Sequence, residues 1–77
     1  MRISYDKETN ALYIKLLEGD YECRTLRLND DVSLNIGPKE ELVGIEILDA
    51  SVVLGKGDLP KILLEKIPAD WQFATAA

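Results

Sequence analysis

Histidine is absent from this 77-residue chain, and cysteine occurs once, as Cys23. Without histidine, no His-bearing zinc site and no Ser-His-Asp or Cys-His relay can be assembled from the chain alone. A single cysteine excludes an intrachain disulfide. Arg24 beside it would favour a thiolate, but neither a base nor a resolving cysteine accompanies it, so Cys23 reads as a strand-edge residue suited to a reducing compartment. Long apolar runs are also missing. Val52-Val53-Leu54 and Ile62-Leu63-Leu64 span three residues each, whereas a bilayer crossing needs about 20. Met1–Tyr5 carry one arginine and then alternate, with no apolar leader core, so the expected location is cytoplasmic. Positive charge is scarce too. Nine Lys+Arg against 14 Asp+Glu give a net charge of −5, which disfavours unaided contact with nucleic acid or anionic membranes.

What remains is a globular composition, 47% hydrophobic, in a single domain at most. A chain this short buries only about 60% of the surface its unfolded state exposes. It needs support from a disulfide, a metal or a partner chain, and the first two are hard to find here.

Period-two alternation dominates residues 1–47. Ile3 and Tyr5 alternate with Arg2 and Ser4, and after a polar turn at Asp6–Asn10 the pattern resumes with Leu12, Ile14 and Leu16. Leu26 and Leu28 mark a third strand, followed by the turn Asn29-Asp30-Asp31. Val32, Leu34 and Ile36 mark a fourth, and Val43, Ile45 and Ile47 a fifth beyond the turn Gly37–Glu41. Strands apolar on one side and joined by short loops predict an antiparallel meander with one wet face. After Ile47 the alternation stops. Asp49 or Ser51 is placed to cap a short helix ending at Gly55, and Asp58 to cap a second, with Pro60 in its first turn and Pro68 at its end. The predicted class is therefore α+β, a meander of about five strands with one or two C-terminal helices on its apolar face. Residues 1–54 form the sheet and short helix, and 55–77 the C-terminal helix and tail of the same domain.

The second helix would place Leu59, Ile62, Leu63 and Ile67 on one side. Leu64 points about 140° from Leu59, too far for one surface to bury both. A helix of about nine residues is ~13 Å long and cannot span five strands spaced ~4.8 Å apart. Trp71 and Phe73 follow Pro68 with nothing left in the chain to cover them. These seven residues, Leu59, Ile62, Leu63, Leu64, Ile67, Trp71 and Phe73, are the predicted interaction surface, and a homodimer is the expected assembly.

Other chemistry is sparse. Asp30-Asp31 and Glu40-Glu41 lack the spacing of a cation loop and read as turn residues. Asp6, Glu46 and Asp49 are the one set able to form a carboxylate cluster for metal, small-ligand or acid/base work. Their plainer roles are hairpin turn, wet face and helix cap. Tyr5, Tyr13 and Tyr21 lack the basic surface of an RNA-stacking sheet, and Gly55-x-Gly57 is too short to cradle phosphate. No catalytic, cofactor or metal residue is assigned. The expectation is a non-enzymatic interaction and oligomerising domain. The alternative is an acidic metal- or ligand-binding protein or enzyme using Asp6, Glu46 and Asp49.

Three segments carry a resemblance: Met1-Arg2-Ile3-Ser4-Tyr5-Asp6, then Ala11-Leu12-Tyr13-Ile14, then Leu42-Val43-Gly44-Ile45-Glu46-Ile47-Leu48-Asp49-Ala50-Ser51. Together they resemble a family of small bacterial and archaeal proteins, domain of unknown function 2283, over roughly residues 1–54. Asn35-Ile36-Gly37-Pro38 departs from that family's commoner acidic turn. The family has no established activity. Some relatives are thought to sit beside small toxin-like genes, so the resemblance implies that an antitoxin-like, partner-binding role is open to this chain.

Overall fold

The computed structural model describes residues 1–75. Five strands form a single antiparallel sheet: β1 Arg2–Asp6, β2 Ala11–Lys15, β3 Arg24–Arg27, β4 Val32–Ile36 and β5 Leu42–Ile47. One short helix, α1, spans Ala50–Gly55. Each strand coincides with a stretch of alternation, and the registers place the apolar sets together. Ile3 faces Ile14 across β1 and β2, and Ile45 lies between Ile14 and Leu34. Ser4, Tyr13, Glu46 and Ser33 occupy the opposite face.

The strand order, β1-β2-β5-β4-β3, corrects the expected meander. The β1–β2 hairpin and a β3-β4-β5 meander are separate units, joined by β5 pairing with β2. A full meander would leave β5 at an edge. Instead its Val43 and Ile47 sit at the centre of the sheet and are buried, where their apolar area is best removed from water. The connection from Leu16 to Cys23 is long enough to carry the chain to the far edge. It leaves β2 through Leu16 and Leu17, whose N–H groups donate to the Val43 carbonyl at 2.7 and 3.3 Å.

The turns are held by their own side chains. Asp6 Oδ1 accepts the Glu8 N–H at 3.0 Å, and Asn29 Oδ1 accepts those of Asp31 and Val32 at 2.8 Å each. Such Asx contacts mimic a backbone turn. Glu41 Oε1 accepts the Lys39 N–H in the β4–β5 turn, which accounts for one of the two acidic pairs as turn chemistry.

The second helix does not form among the described residues. Residues 59–65 are irregular, with a bend at Lys66 in the left-handed region (φ 55°). The helical spacing is outweighed by length, since an isolated helix below about 12–15 residues is marginal in water. Pro60 and Pro68 also bias Leu59 and Ile67 away from helical backbone. The α-content is therefore α1 alone, and the expected helical lid on the sheet is absent among the described residues. Among the described residues only Ile36, Val43, Ile47 and Ala50 are buried hydrophobics. Among the described residues no helix is long and apolar enough to cross a membrane. The end of the predicted 55–77 tail, residues 76–77, lies outside the described residues.

Candidate functional site

Asn10 closes the β1–β2 turn in the left-handed region, at φ 54°, which asparagine tolerates better than most residues. This conformation aims its amide at the β5–α1 junction. Its Nδ2 donates to Asp49 Oδ1 at 3.2 Å and to Ser51 Oγ at 2.9 Å. Its Oδ1 accepts the Tyr5 hydroxyl at 2.7 Å and the Ser51 N–H at 3.1 Å. All four hydrogen-bonding positions of the amide are thus used. The Asn10 carbonyl also accepts the Ala50 N–H at 2.9 Å, and Ala50 is fully buried. Sequence reasoning read Asn10 only as a turn residue. The available signal was an asparagine ending a polar turn, in a chain that also carries Asp49-Ala50-Ser51.

This network corrects the cap assignment. Asp49 stands at the N-cap position of α1, but it is left-handed (φ 51°) and its side chain makes no cap hydrogen bond. The carboxylate serves Asn10 instead. At the other end Gly55 is the last helical residue rather than the terminator, and Lys56 turns the chain at φ 55°.

The three candidate carboxylates do not gather. Asp6 holds its own turn, Glu46 stands on the polar face opposite Tyr13 and Ser33, and Asp49 belongs to the Asn10 network. Among the described residues no group of three or more His, Cys, Asp or Glu side chains is placed to hold a metal ion. Cys23 is exposed, and the neighbouring Arg24 guanidinium pairs with Glu40 at 2.6 Å.

The interaction residues divide. Ile62, Leu64, Ile67, Trp71 and Phe73 line one open groove of about 530 Å³ with Met1 and Ile3. The alternation of Ile62 and Leu64 suits non-helical chain with side chains on one side. Trp71 and Phe73 stack with ring centroids 6.3 Å apart. Leu59 and Leu63 are not part of that lining, and Leu63 is 75% exposed. On the other side of β1, Arg2, Ser4, Tyr13 and Lys15 border a second groove with Ala74 and Thr75. Near it Arg2 Nε meets Glu18 at 3.3 Å. The hydrogen bond from Arg2, followed by the charge of that guanidinium, holds the Glu18 carboxyl below its ordinary range.

A family model described as protein of unknown function (DUF2283) matches residues 2–51. The chain belongs to that family. The segment that defines this DUF2283 protein contains the whole sheet and every member of the Asn10 network, and it ends at Ser51. The apolar residues 62–73 lie beyond it. No curated protein and no solved structure matches the chain.

Proposed function

We propose that this DUF2283 protein is a non-catalytic interaction domain that assembles with a second copy of itself through its open apolar surface. The observation that carries the reading is an area. The chain exposes 6490 Å², whereas a compact monomer of 8.6 kDa exposes about 4,700 Å². The excess, roughly 1,800 Å², is about twice the ~800 Å² that each partner contributes to a standard protein interface. The radius of gyration, 13.8 Å, exceeds the ~11.5 Å of a compact chain of this length in the same sense. The excess is apolar where the reading needs it: Ile62 is 70% and Phe73 63% exposed, and Ile3 beside them is half exposed.

The engagement of Asp6 in its own turn and of Asp49 by Asn10 supports this reading over an acidic ligand-binding site. An antitoxin-like role is the variant in which the same surface covers a basic protein, a pairing that the net charge of −5 would favour. Light scattering coupled to size exclusion tests the main reading. A mass of twice 8.6 kDa at tens of micromolar, falling on dilution or with Phe73→Asp, supports it. A mass of 8.6 kDa at every concentration overturns it.

A further inference from the structure

We infer that the second copy joins at the outer edge of β1, pairing antiparallel with its own counterpart about a two-fold axis at Ser4, so that the two sheets become one of ten strands. This rests on the self-association proposed above and names its contact. β1 is an edge strand. Among the described residues no backbone hydrogen bond outside the β1–β2 ladder involves it. It has neither a proline nor a register break, two of the devices that keep an edge from pairing.

Charge and symmetry choose the register. Pairing about Ser4 sets Arg2 opposite Asp6 of the second copy, twice, on the polar face, and Ile3 opposite Tyr5 on the apolar face. Cross-strand pairs of opposite charge and of aromatic with β-branched side chains are the ones that stabilise a sheet. Each ion has atoms to spare: Arg2 meets Glu18 through Nε and Asp6 takes the Glu8 N–H on Oδ1. Because β1 has five residues, full-length pairing is centred on a residue, and the two-fold axis normal to the sheet keeps both apolar faces on the same side. The grooves lined by Met1, Ile3, Leu64, Trp71 and Phe73 then meet across the axis.

The other edge fails on both counts. β3 is Arg24-Thr25-Leu26-Arg27, and full-length self-pairing would match Arg24 with Arg27, which lie on opposite faces of the sheet. Its even length also leaves no residue on a two-fold axis, so a symmetric pairing must slip by one residue and sets Arg24 opposite Leu26 or Arg27 opposite Thr25. The described competitor for the β1 edge is the tail. Ala74 and Thr75 flank Met1–Ser4, but they make no backbone hydrogen bond to the strand.

Two measurements on the full chain test the contact. In the first, Arg2→Asp and Asp6→Arg each oppose like charges across the axis and are expected to raise the dimer dissociation constant about ten-fold or more. The double exchange Arg2→Asp/Asp6→Arg restores opposite charges and the affinity. In the second, Ser4→Cys in a Cys23→Ser background places two thiols on the axis. Directly opposed strand residues lie about 4.5–5.5 Å apart at Cα, within disulfide reach, so oxidation gives a covalent dimer, while Thr25→Cys in the same background does not. The cross-link carries the test if Asp6→Arg fails to fold. A dimer that ignores both the charge reversals and Ser4→Cys overturns the β1 contact and leaves self-association standing. A chain that is monomeric at every concentration overturns both.

Discussion

Tyr13 on β2 lies across Gly44 on β5. A Cβ built at Gly44 would fall 2.5 Å from Tyr13 Cζ and closer still to the hydroxyl, so only glycine leaves room for the ring. Tyr13 is directly opposite Glu46, and Gly44 opposite Lys15, so the ring leans diagonally over β5. It then reaches β4, where its hydroxyl accepts a hydrogen bond from Asn35 Nδ2 at 2.8 Å. One side chain thereby clamps three strands on the wet face of a sheet whose apolar face is thinly covered.

Gly44→Ala should force the ring off that path and break the Asn35 contact, destabilising the chain by about 1–3 kcal/mol. In a Tyr13→Ala background the same substitution should be neutral or stabilising, because alanine is favoured over glycine in a strand by ~0.5–1 kcal/mol. Urea unfolding of the four-member cycle measures the coupling. Equal costs of Gly44→Ala in both backgrounds would show that Tyr13 is not the obstacle.

Asn10 should be the most costly turn residue to replace. Asn10→Gly keeps the left-handed backbone and deletes the four amide hydrogen bonds, leaving Tyr5, Asp49 and Ser51 unpaired, at about 1–3 kcal/mol. Asn10→Ala adds the left-handed strain of a Cβ-bearing residue, a further ~1–2 kcal/mol. Thermal melts should rank wild type above Gly and Gly above Ala. If glycine proves neutral, the amide is dispensable.

The Arg2–Glu18 pair makes a prediction about pH. The folded carboxyl of Glu18 titrates below its ordinary value, first through the hydrogen bond from Arg2 and then through its charge. A lowered folded pKa means a contribution that is present above the unfolded value and lost as pH falls through the folded one. The pair is solvent-exposed, so salt should weaken it. Carboxyl-detected NMR titration should show Glu18 titrating below the ordinary glutamate value, and moving up in Arg2→Ala. An unchanged Glu18 titration in that variant would assign the shift elsewhere.

Truncation after Gly57 should leave the ladder in place. All strand pairing among the described residues lies within residues 2–47, and the α1 anchor uses Asn10, Asp49, Ala50 and Ser51. Amide exchange should still show protection in β2, β4 and β5, with faster exchange in β1, which loses the neighbours of Ile3 in its groove. Loss of protection across all five strands would mean that the C-terminal segment is part of the folding unit.

The strands could be read from the sequence because their signal is local. The alternation at Val32/Leu34/Ile36 or Val43/Ile45/Ile47 reports which side each residue faces, and the registers bear that out at Val32, Leu34, Ile45 and Ile47, before a register shift that pairs Ile36 with Leu42. The family was legible for a related reason, since its most specific stretch, Leu42 to Ser51, holds the glycine under Tyr13 and the Asp49, Ala50 and Ser51 partners of Asn10. Strand order was not legible. Alternation says nothing about which strand lies beside which, and the centre went to β5 because its apolar side chains are buried there. The carboxylates of Asp6, Glu46 and Asp49 could be named but not placed, because side chains remote in sequence meet only through the ladder.

Residues 58–67 show the opposite case, in which a local signal misleads. Their helical spacing is real, yet spacing stabilises a helix only when a surface receives the apolar side, and a nine-residue helix cannot offset its own nucleation. Composition and periodicity by themselves determined an acidic, antiparallel, one-faced sheet with apolar residues in surplus. Tertiary structure alone decided where that surplus sits, because pairing β2 with β5 takes Val43 and Ile47 to the buried centre of the sheet, while the C-terminal segment sets Ile62, Leu64, Trp71 and Phe73 beside Ile3 at the β1 edge.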